Sequence, residues 1–279
     1  MDAVVRPARA SDREPLMSFI RNVWGGHDYI PSVWDDWLKD PRNRMFVVEV
    51  DGVPVGMNRL RFQEDGSAWL EGVRVHPDYR GRGLASMLGE NSMRVARERG
   101  AEVFRLTSGS RNKTAHRQIA RIKFDEVARF SVYEPRNGMR KGTWGERVPP
   151  HEAVRALGML QGSPEFVMGR GVFWHNWGAA SLKPDVVKSL VDEGAVWWHG
   201  GAVAVMRSGG EGEGSWREVG FLGGTPDDAA RLARTLLGGA GTAERRALVP
   251  QGSPIIHALR ESGFGRILSH ILFERSAKG

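Results

Sequence analysis

The sequence predicts an α/β protein made of two similar halves. Three observations carry this expectation. A strand runs into a glycine-rich loop and then a helix at residues 73–88. Apolar strands and amphipathic helices alternate on both sides of that segment. The pattern of the first half then returns in residues 195–273 of a 279-residue chain.

The elements of the first half read in order. Val4-Val5-Arg6-Pro7-Ala8 reads as an opening strand, and Ser11 and Asp12 can cap a helix running to Trp24. Gly25-Gly26-His27-Asp28-Tyr29-Ile30-Pro31 is a loop, followed by a helix holding Trp34, Asp35, Asp36, Trp37 and Leu38. Phe46–Val50, the pair Asp51-Gly52 and Val53–Met57 make a hairpin signature, with a further strand from Asn58 to Phe62. Trp69–Val75 is the strand that feeds the loop. The helix after the loop carries Leu84, Met87 and Leu88 on one face. Val103–Thr107 reads as a buried strand, Asn112–Phe124 as a helix and Glu126–Val132 as a closing strand.

The stretch Val73-Arg74-Val75-His76-Pro77-Asp78-Tyr79-Arg80-Gly81-Arg82-Gly83-Leu84-Ala85 has the makings of an anion site. The first amides of a helix lack intrahelical partners, and the helix dipole adds partial positive charge there. Glycines let the backbone approach a phosphate with no side chain between. The spacing fits neither common nucleotide loop. Gly, four residues and Gly-Lys-Ser/Thr does not occur here, and Gly81 and Gly83 lack the third glycine of a dinucleotide fingerprint. A tight turn with solvated arginines would explain the glycines but not the whole ordered set.

Arg80-x-x-Gly83-x-Ala85, placed after a Val-rich strand and a His-Pro turn, resembles the pyrophosphate loop of the GNAT superfamily of N-acetyltransferases. The order of elements resembles that fold as well. The resemblance implies a mixed, mostly antiparallel sheet flanked by helices, with acetyl-CoA as co-substrate in a gap between splayed strands. It implies that backbone groups of Val73 and Val75 pair with the pantetheine arm. Amides of Arg80, Gly81, Arg82, Gly83, Leu84 and Ala85 would hold the pyrophosphate, and Asn112 would touch the cofactor arm. There is a departure from the family pattern. Its later helix usually carries a tyrosine seven residues after that asparagine and a Gly-Phe pair at its end; here these positions are Ile119 and Lys123-Phe124. A dedicated general acid is therefore in question. His116, one turn after Asn112, can substitute, or it can be an exposed helix histidine.

The second half repeats the first. Ala195–Val205 reads like Phe46–Gly56, and Trp216-Arg217-Glu218-Val219-Gly220 parallels Trp69-Leu70-Glu71-Gly72-Val73. Thr225-Pro226-Asp227 stands where His76-Pro77-Asp78 stands, Arg245–Val249 matches the strand around Leu106, and Ile255–Phe264 with Ile267–Phe273 matches the last helix and strand. Two tandem GNAT-like domains are expected. Residues 1–138 would bind acetyl-CoA, and residues 150–279 would not. The boundary lies near Pro135–Pro150, rich in Gly, Pro and Arg. After Pro226 no glycine faces Gly81 or Gly83, and Asp227 and Asp228 would repel a pyrophosphate. The second half is expected to pack against the first and wall the acceptor pocket, with Ser208–Gly214 a flexible hairpin tip.

Composition narrows the classes. Forty basic residues against 33 acidic give a net charge of +7, which suits an acidic ligand, but no dense basic run or zinc pattern points to nucleic acid. The absence of cysteine removes disulfides, thiolate catalysis and cysteine metal sites. No metal is expected. No segment reads as a signal peptide or membrane span, so a cytoplasmic location is the default expectation. A homodimer is left open.

Acetyl transfer to an amine needs a base, an oxyanion donor and alignment of the reactants. By the resemblance, the Val73 amide is the oxyanion donor. Glu71 lies two residues earlier on the same strand face and matches the glutamate that related enzymes use as base; Glu218 at the equivalent place argues for a partly structural role. Trp24, His27, Asp28, Tyr29, Trp34 and Trp37 crowd the region of the acceptor site. Asp28, Tyr29 and Trp34 are its candidates, by charge pairing and cation–π contact with an ammonium. Trp34 and Trp37, three apart on a helix, can equally be core, and Trp37 is the one expected there. His27–Pro31 with Trp37-Leu38 also resembles the histidine N-acetyltransferase-like proteins, which implies a free amino acid or similar small amine as acceptor. A protein N-terminal or lysine acetyltransferase and a non-catalytic acyl-CoA-binding sensor are the alternatives.

Overall fold

The computed structural model describes residues 2–210, 215–239 and 244–278, without the side chain of Trp24. It resolves into two units. The first comprises Met1–Thr107, Asn112–Asp125 and Phe273–Gly279; the second comprises Ser108–Arg111 and Glu126–Leu272.

In the first unit, strand β1 (Ala3–Pro7) precedes helices α1 (Arg13–Ile20) and α2 (Ile30–Lys39). Strands β2 (Arg44–Val50), β3 (Val53–Phe62) and β4 (Ala68–Val75) follow, then helix α3 (Leu84–Glu98), strand β5 (Val103–Gly109) and helix α4 (Lys113–Arg121). β1 to β4 pair antiparallel in chain order, and β5 runs parallel to β4. Asp51 and Gly52, at φ 50° and 83°, form the primed turn that joins β2 to β3. Leu16, Met17, Ile20, Ile30 and Trp34 pack beneath Met45, Val47 and Met57.

Two local expectations change. The first helix ends at Ile20 rather than Trp24; after a turn, Val23–Gly26 form a separate 3-10 helix. Asp12 caps nothing at its own helix. It is buried, takes 2.7 Å bonds from the Arg6 guanidinium and accepts the Arg9 amide, and its carboxyl sits below the usual range because of those partners despite burial.

The second unit begins with β6 (Asp125–Pro135), whose first residue lies in the first unit, and β7 (Glu146–Arg147). Helices α5 (Ala153–Gly162) and α6 (Pro164–Met168), the hairpin β8 (Val172–His175) and β9 (Gly178–Ser181), and helix α7 (Pro184–Asp192) come next. Then the pattern of the first unit returns as β10 (Val196–His199), β11 (Ala202–Gly209), β12 (Trp216–Gly224), α8 (Pro226–Leu237), β13 (Glu244–Pro250), α9 (Ile255–Glu261) and β14 (Phe264–Ser276). Within this unit the strand order is β6-β13-β12-β11-β10-β7, antiparallel except for the parallel pair β12 and β13. Ser208 and Gly209 pair with Arg217 and Trp216; residues 211–214 of the expected hairpin tip lie outside the described residues.

The units depart from a linear division at two places. Residues 126–138 fall in the second unit, where Tyr133 and Val132 of β6 pair with Ala247 and Leu248. Residues 273–279 fall in the first: Arg105 bonds Glu274 at 2.8 Å, Arg275 donates to the Ile122 carbonyl at 2.9 Å, and the Ala277 amide donates to Glu102 at 2.8 Å.

Both units end their last helix in the left-handed conformation. Gly263 follows α9 at φ 95°, but the matching residue after α4 is Lys123 at φ 56°. A Cβ at such a position costs about 1–2 kcal/mol. Lys123→Gly is therefore expected to stabilise the first unit by about 0.5–1 kcal/mol, and Gly263→Lys to destabilise the second at least as much. Denaturant midpoints of the two variants check both signs.

Among the described residues no helix is long and apolar enough to cross a membrane. Nor does any group of three or more His, Asp or Glu stand close enough to hold a metal ion.

Candidate active site

β4 stops at Val75, and a single turn of 3-10 helix, Pro77–Tyr79, leads to the loop. His76 anchors the turn: its amide donates to the Val55 carbonyl at 2.8 Å, its Nδ1 accepts the Asp78 amide at 3.3 Å, and its ring meets Phe19 edge-on at 5.0 Å. Both arginines fold back onto the loop. Arg80 Nε donates to the Val75 carbonyl at 3.2 Å, and Arg82 donates to the Asp78 carbonyl at 3.1 Å while lying over the Tyr79 ring. Gly81 and Gly83 adopt φ 78° and 81°, and a Cβ on either would meet nothing within 4 Å. Their glycine identity thus answers to backbone conformation and to an open face, not to crowding by the protein. Gly83 opens α3; the first amides bonded to its carbonyl are those of Ser86 and Met87, so Leu84 and Ala85 point theirs out of the helix end. The Arg80 amide, expected to hold the pyrophosphate, is instead taken by the Pro77 carbonyl at 3.2 Å; the outward Leu84 and Ala85 amides at a positive helix end fit a pyrophosphate.

The strands behind the loop splay. β4 and β5 pair only at Ala68 with Phe104 and Trp69 with Arg105, leaving Leu70–Val75 without a parallel neighbour in that pairing. On its other edge β4 carries a bulge: Met57 faces Arg74 and Arg59 faces Glu71, so Asn58 alone stands opposite Gly72 and Val73. Gly72 at φ 69° makes the bulge, and Val73 is 40% exposed. Asn58 is fully buried and donates to the Leu88 carbonyl at 3.2 Å and to Ser92 Oγ at 2.8 Å, tying the bulge to α3. Val73, Val75 and the 80–85 loop thus lie along one continuous backbone path beside an open gap.

Glu71 is the carboxylate that β4 carries beside this path. Its Oε1 takes a 2.8 Å bond from Arg59 Nη1, and its Oε2 lies 3.4 Å from Arg61 Nη2. Arg59 also bonds Asp40 at 3.2 Å and rests over the Trp37 ring at 4.6 Å; burial pulls its guanidinium below its ordinary value. These arginines escaped the sequence reading. Their alternation on a strand opposite a glutamate was the available signal.

The acceptor candidates are placed unequally. Asp28 is not open to an ammonium: its side chain is fully buried, bonded by Arg74 Nε at 2.6 Å and by the Ile30 amide at 3.0 Å. Trp34 is core, with no exposed surface; Trp37, the one expected in the core, is partly buried, packs against the same cluster and also reaches the bulge. Ile30, Trp34 and Trp37 stand at i, i+4 and i+7 on one face of α2. Tyr29 is exposed, meets Trp37 edge-on at 5.8 Å and lies under Arg74 at 5.6 Å. Burial around its hydroxyl, and then the Glu71 charge, push that group up to about 12. Asn112 caps α4, its Oδ1 accepting the Ala115 amide at 3.0 Å. His116 is half-buried, 5.5 Å from the Phe273 ring. Ile119, at the family's tyrosine position, is buried.

The same region of the second unit is closed. β12 and β13 stay paired as far as Val219 with Ala247. A Cβ added to Gly220, the counterpart of Val73, would overlap the Trp174 carbonyl, so the β8–β9 hairpin lies directly on β12. Glu218, the counterpart of Glu71, is fully buried against Arg246 at 2.5 Å, under the Trp177 ring of that hairpin. At the head of α8 the protein supplies its own anion: Asp228 accepts the Gly201 amide at 2.9 Å and Thr225 Oγ1 at 2.8 Å, which holds its carboxyl below the usual range.

Comparison with known proteins agrees with this geometry. Residues 12–124 match the acetyltransferase (GNAT) family. Its relatives include a histidine N-acetyltransferase of Xenopus tropicalis, 30% identical over 121 residues, 41% of this chain and 37% of that protein. A histidine N-acetyltransferase of Oreochromis niloticus is 30% identical over 82 residues, 29% of this chain and 24% of that protein. The chain thus spans well under half the length of these relatives. In fold, it is similar along nearly its whole length to a GCN5-related N-acetyltransferase from Sphaerobacter thermophilus, with a TM-score of 0.65, 14% identity, and coverage of 99% of this chain and 96% of that one.

Proposed function

We propose that the chain transfers an acetyl group from acetyl-CoA to the amine of a small molecule, an amino acid or a similar amine. The observation that carries this reading is the continuity of the Gly72–Val73 bulge, the β4–β5 gap and the amides of the 80–85 loop. The names of the relatives support an amino acid as acceptor. Acetyl-CoA supplies an activated thioester; the chain holds its pyrophosphate at Gly81–Ala85 and its pantetheine along Val73 and Val75. The Val73 amide stabilises charge developing on the carbonyl oxygen. Glu71 Oε2, which lies 3.4 Å from Arg61 Nη2, accepts the amine proton directly or through a water. His116 is the candidate donor to the departing thiolate. Tyr29, which stays protonated at neutral pH, offers a hydroxyl to the acceptor. The second unit takes no cofactor, because its own hairpin and Asp228 stand where one would bind.

The test is release of free thiol from acetyl-CoA across a panel of amino acids and simple amines. Saturable, amine-dependent release is expected, with kcat reduced roughly 100-fold or more by Glu71→Gln. Release that no amine stimulates would sink the proposal.

A further inference from the structure

We propose that Trp37 is a positioning residue for the transfer step, seating the oxyanion donor and the base together from one aromatic ring; this rests on the function proposed above. The ring touches both sides of the reacting strand. A Cβ on Gly72 would lie 2.9 Å from Trp37 Cζ3 and 3.2 Å from Cη2, so the indole lies directly against the bulge backbone. The next amide after Gly72 is that of Val73. On the other side, the Arg59 guanidinium lies 4.6 Å from the ring centroid and bonds Glu71 Oε1 at 2.8 Å. Two neighbours brace the assembly. Tyr29 meets the ring edge-on at 5.8 Å, and Asp40, which follows α2 directly, takes the other end of Arg59 at 3.2 Å.

Residues 71–73 thus have their conformation set by a side chain that comes from α2. An indole is broad and rigid, with two rotatable bonds, and it fixes the distance between helix and strand where both groups must be aligned. A shift of about 1 Å in such a group can cost about 100-fold in rate. Gly72 is glycine for two reasons here: its φ of 69°, and the ring pressed against it. The loop that holds the pyrophosphate begins eight residues further on, so cofactor binding should not depend on the ring.

The test compares Trp37→Leu and Trp37→Phe with the wild type. Trp37→Leu is expected to lower kcat about 10- to 100-fold while KM for acetyl-CoA stays within about threefold. Trp37→Phe, which keeps a ring under Arg59, should recover most of the loss. A folded Trp37→Leu enzyme with unchanged kcat, or a loss confined to the acetyl-CoA KM, overturns the proposal. The contact itself is read without turnover. The fall in Tm caused by Gly72→Ala should be smaller in a Trp37→Leu background, because the ring that the new Cβ would strike is gone; additive falls overturn it too. A wild type that turns over no amine sinks the functional reading instead, and is distinguishable because that result precedes any variant.

Discussion

Gly83→Asp is expected to abolish the rise in thermal stability that acetyl-CoA gives the wild-type chain. A ligand at 100 times its Kd stabilises the native state by about 2.7 kcal/mol. The variant should lose essentially all of it, with affinity reduced about 100-fold or more. Two effects combine. The backbone at Gly83 holds φ 81°, where a Cβ is strained, and the new carboxylate would stand at the helix end that must face a pyrophosphate. Gly83→Asn separates them. Asparagine tolerates the left-handed region about as well as aspartate and has the same shape without the charge, so it should retain part of the shift. Because a side chain at this position meets no protein atom within 4 Å, both variants should fold without ligand. Equal, undiminished stabilisation of all three proteins would move the cofactor away from this loop.

Gly220→Ala is expected to be the most destabilising small substitution in the second unit, by about 3–5 kcal/mol, with a fall in Tm of roughly 10 °C. The new Cβ would overlap a backbone carbonyl, that of Trp174, and backbone cannot rotate away as a side chain can. The hairpin is also pinned from behind, where Trp174 packs edge-on against Phe130 at 5.1 Å. Accommodation therefore requires β8 to lift from β12. Gly158→Ala is the control, since its Cβ would meet nothing within 4 Å in the middle of α5; it should leave Tm unchanged or slightly raised. A Gly220→Ala variant that melts like the wild type would show that the hairpin does not fill this groove.

The fold and the loop were legible in the sequence because both depend on local chemistry. Strand periodicity, the Asp51-Gly52 turn and two glycines before a helix act within a few residues of themselves. The internal repeat was legible for the same reason, down to Gly263-Phe264 in the second half. What the sequence concealed depends on contacts between distant segments. Arg74 neutralises Asp28 from 46 residues away, and nothing in His27–Pro31 announces it. Trp34 and Trp37 share one face of α2, and spacing alone does not say which of them reaches the bulge of β4. The β8–β9 hairpin turns at Asn176 and Trp177, both at positive φ, and a tryptophan in that conformation is not a recognised turn signal. Its strands, which the sequence reading did not assign, fill in the second unit the groove that the first unit keeps open.

The placement of residues 273–277 has a consequence for biogenesis. Glu274, Arg275 and Ala277 bond to Arg105, Ile122 and Glu102, so the first unit takes a strand from a stretch translated about 150 residues after the rest of it. At about 5–20 residues per second, a ribosome spends on the order of ten seconds making the intervening segment. During that interval the nascent first unit has an unfilled strand position beside β5, an edge of the kind that recruits foreign strands. The second unit, by contrast, has its last segment in hand as soon as Leu272 emerges. Synthesis therefore completes the second unit before the first, although the first is the earlier of the two along most of the chain.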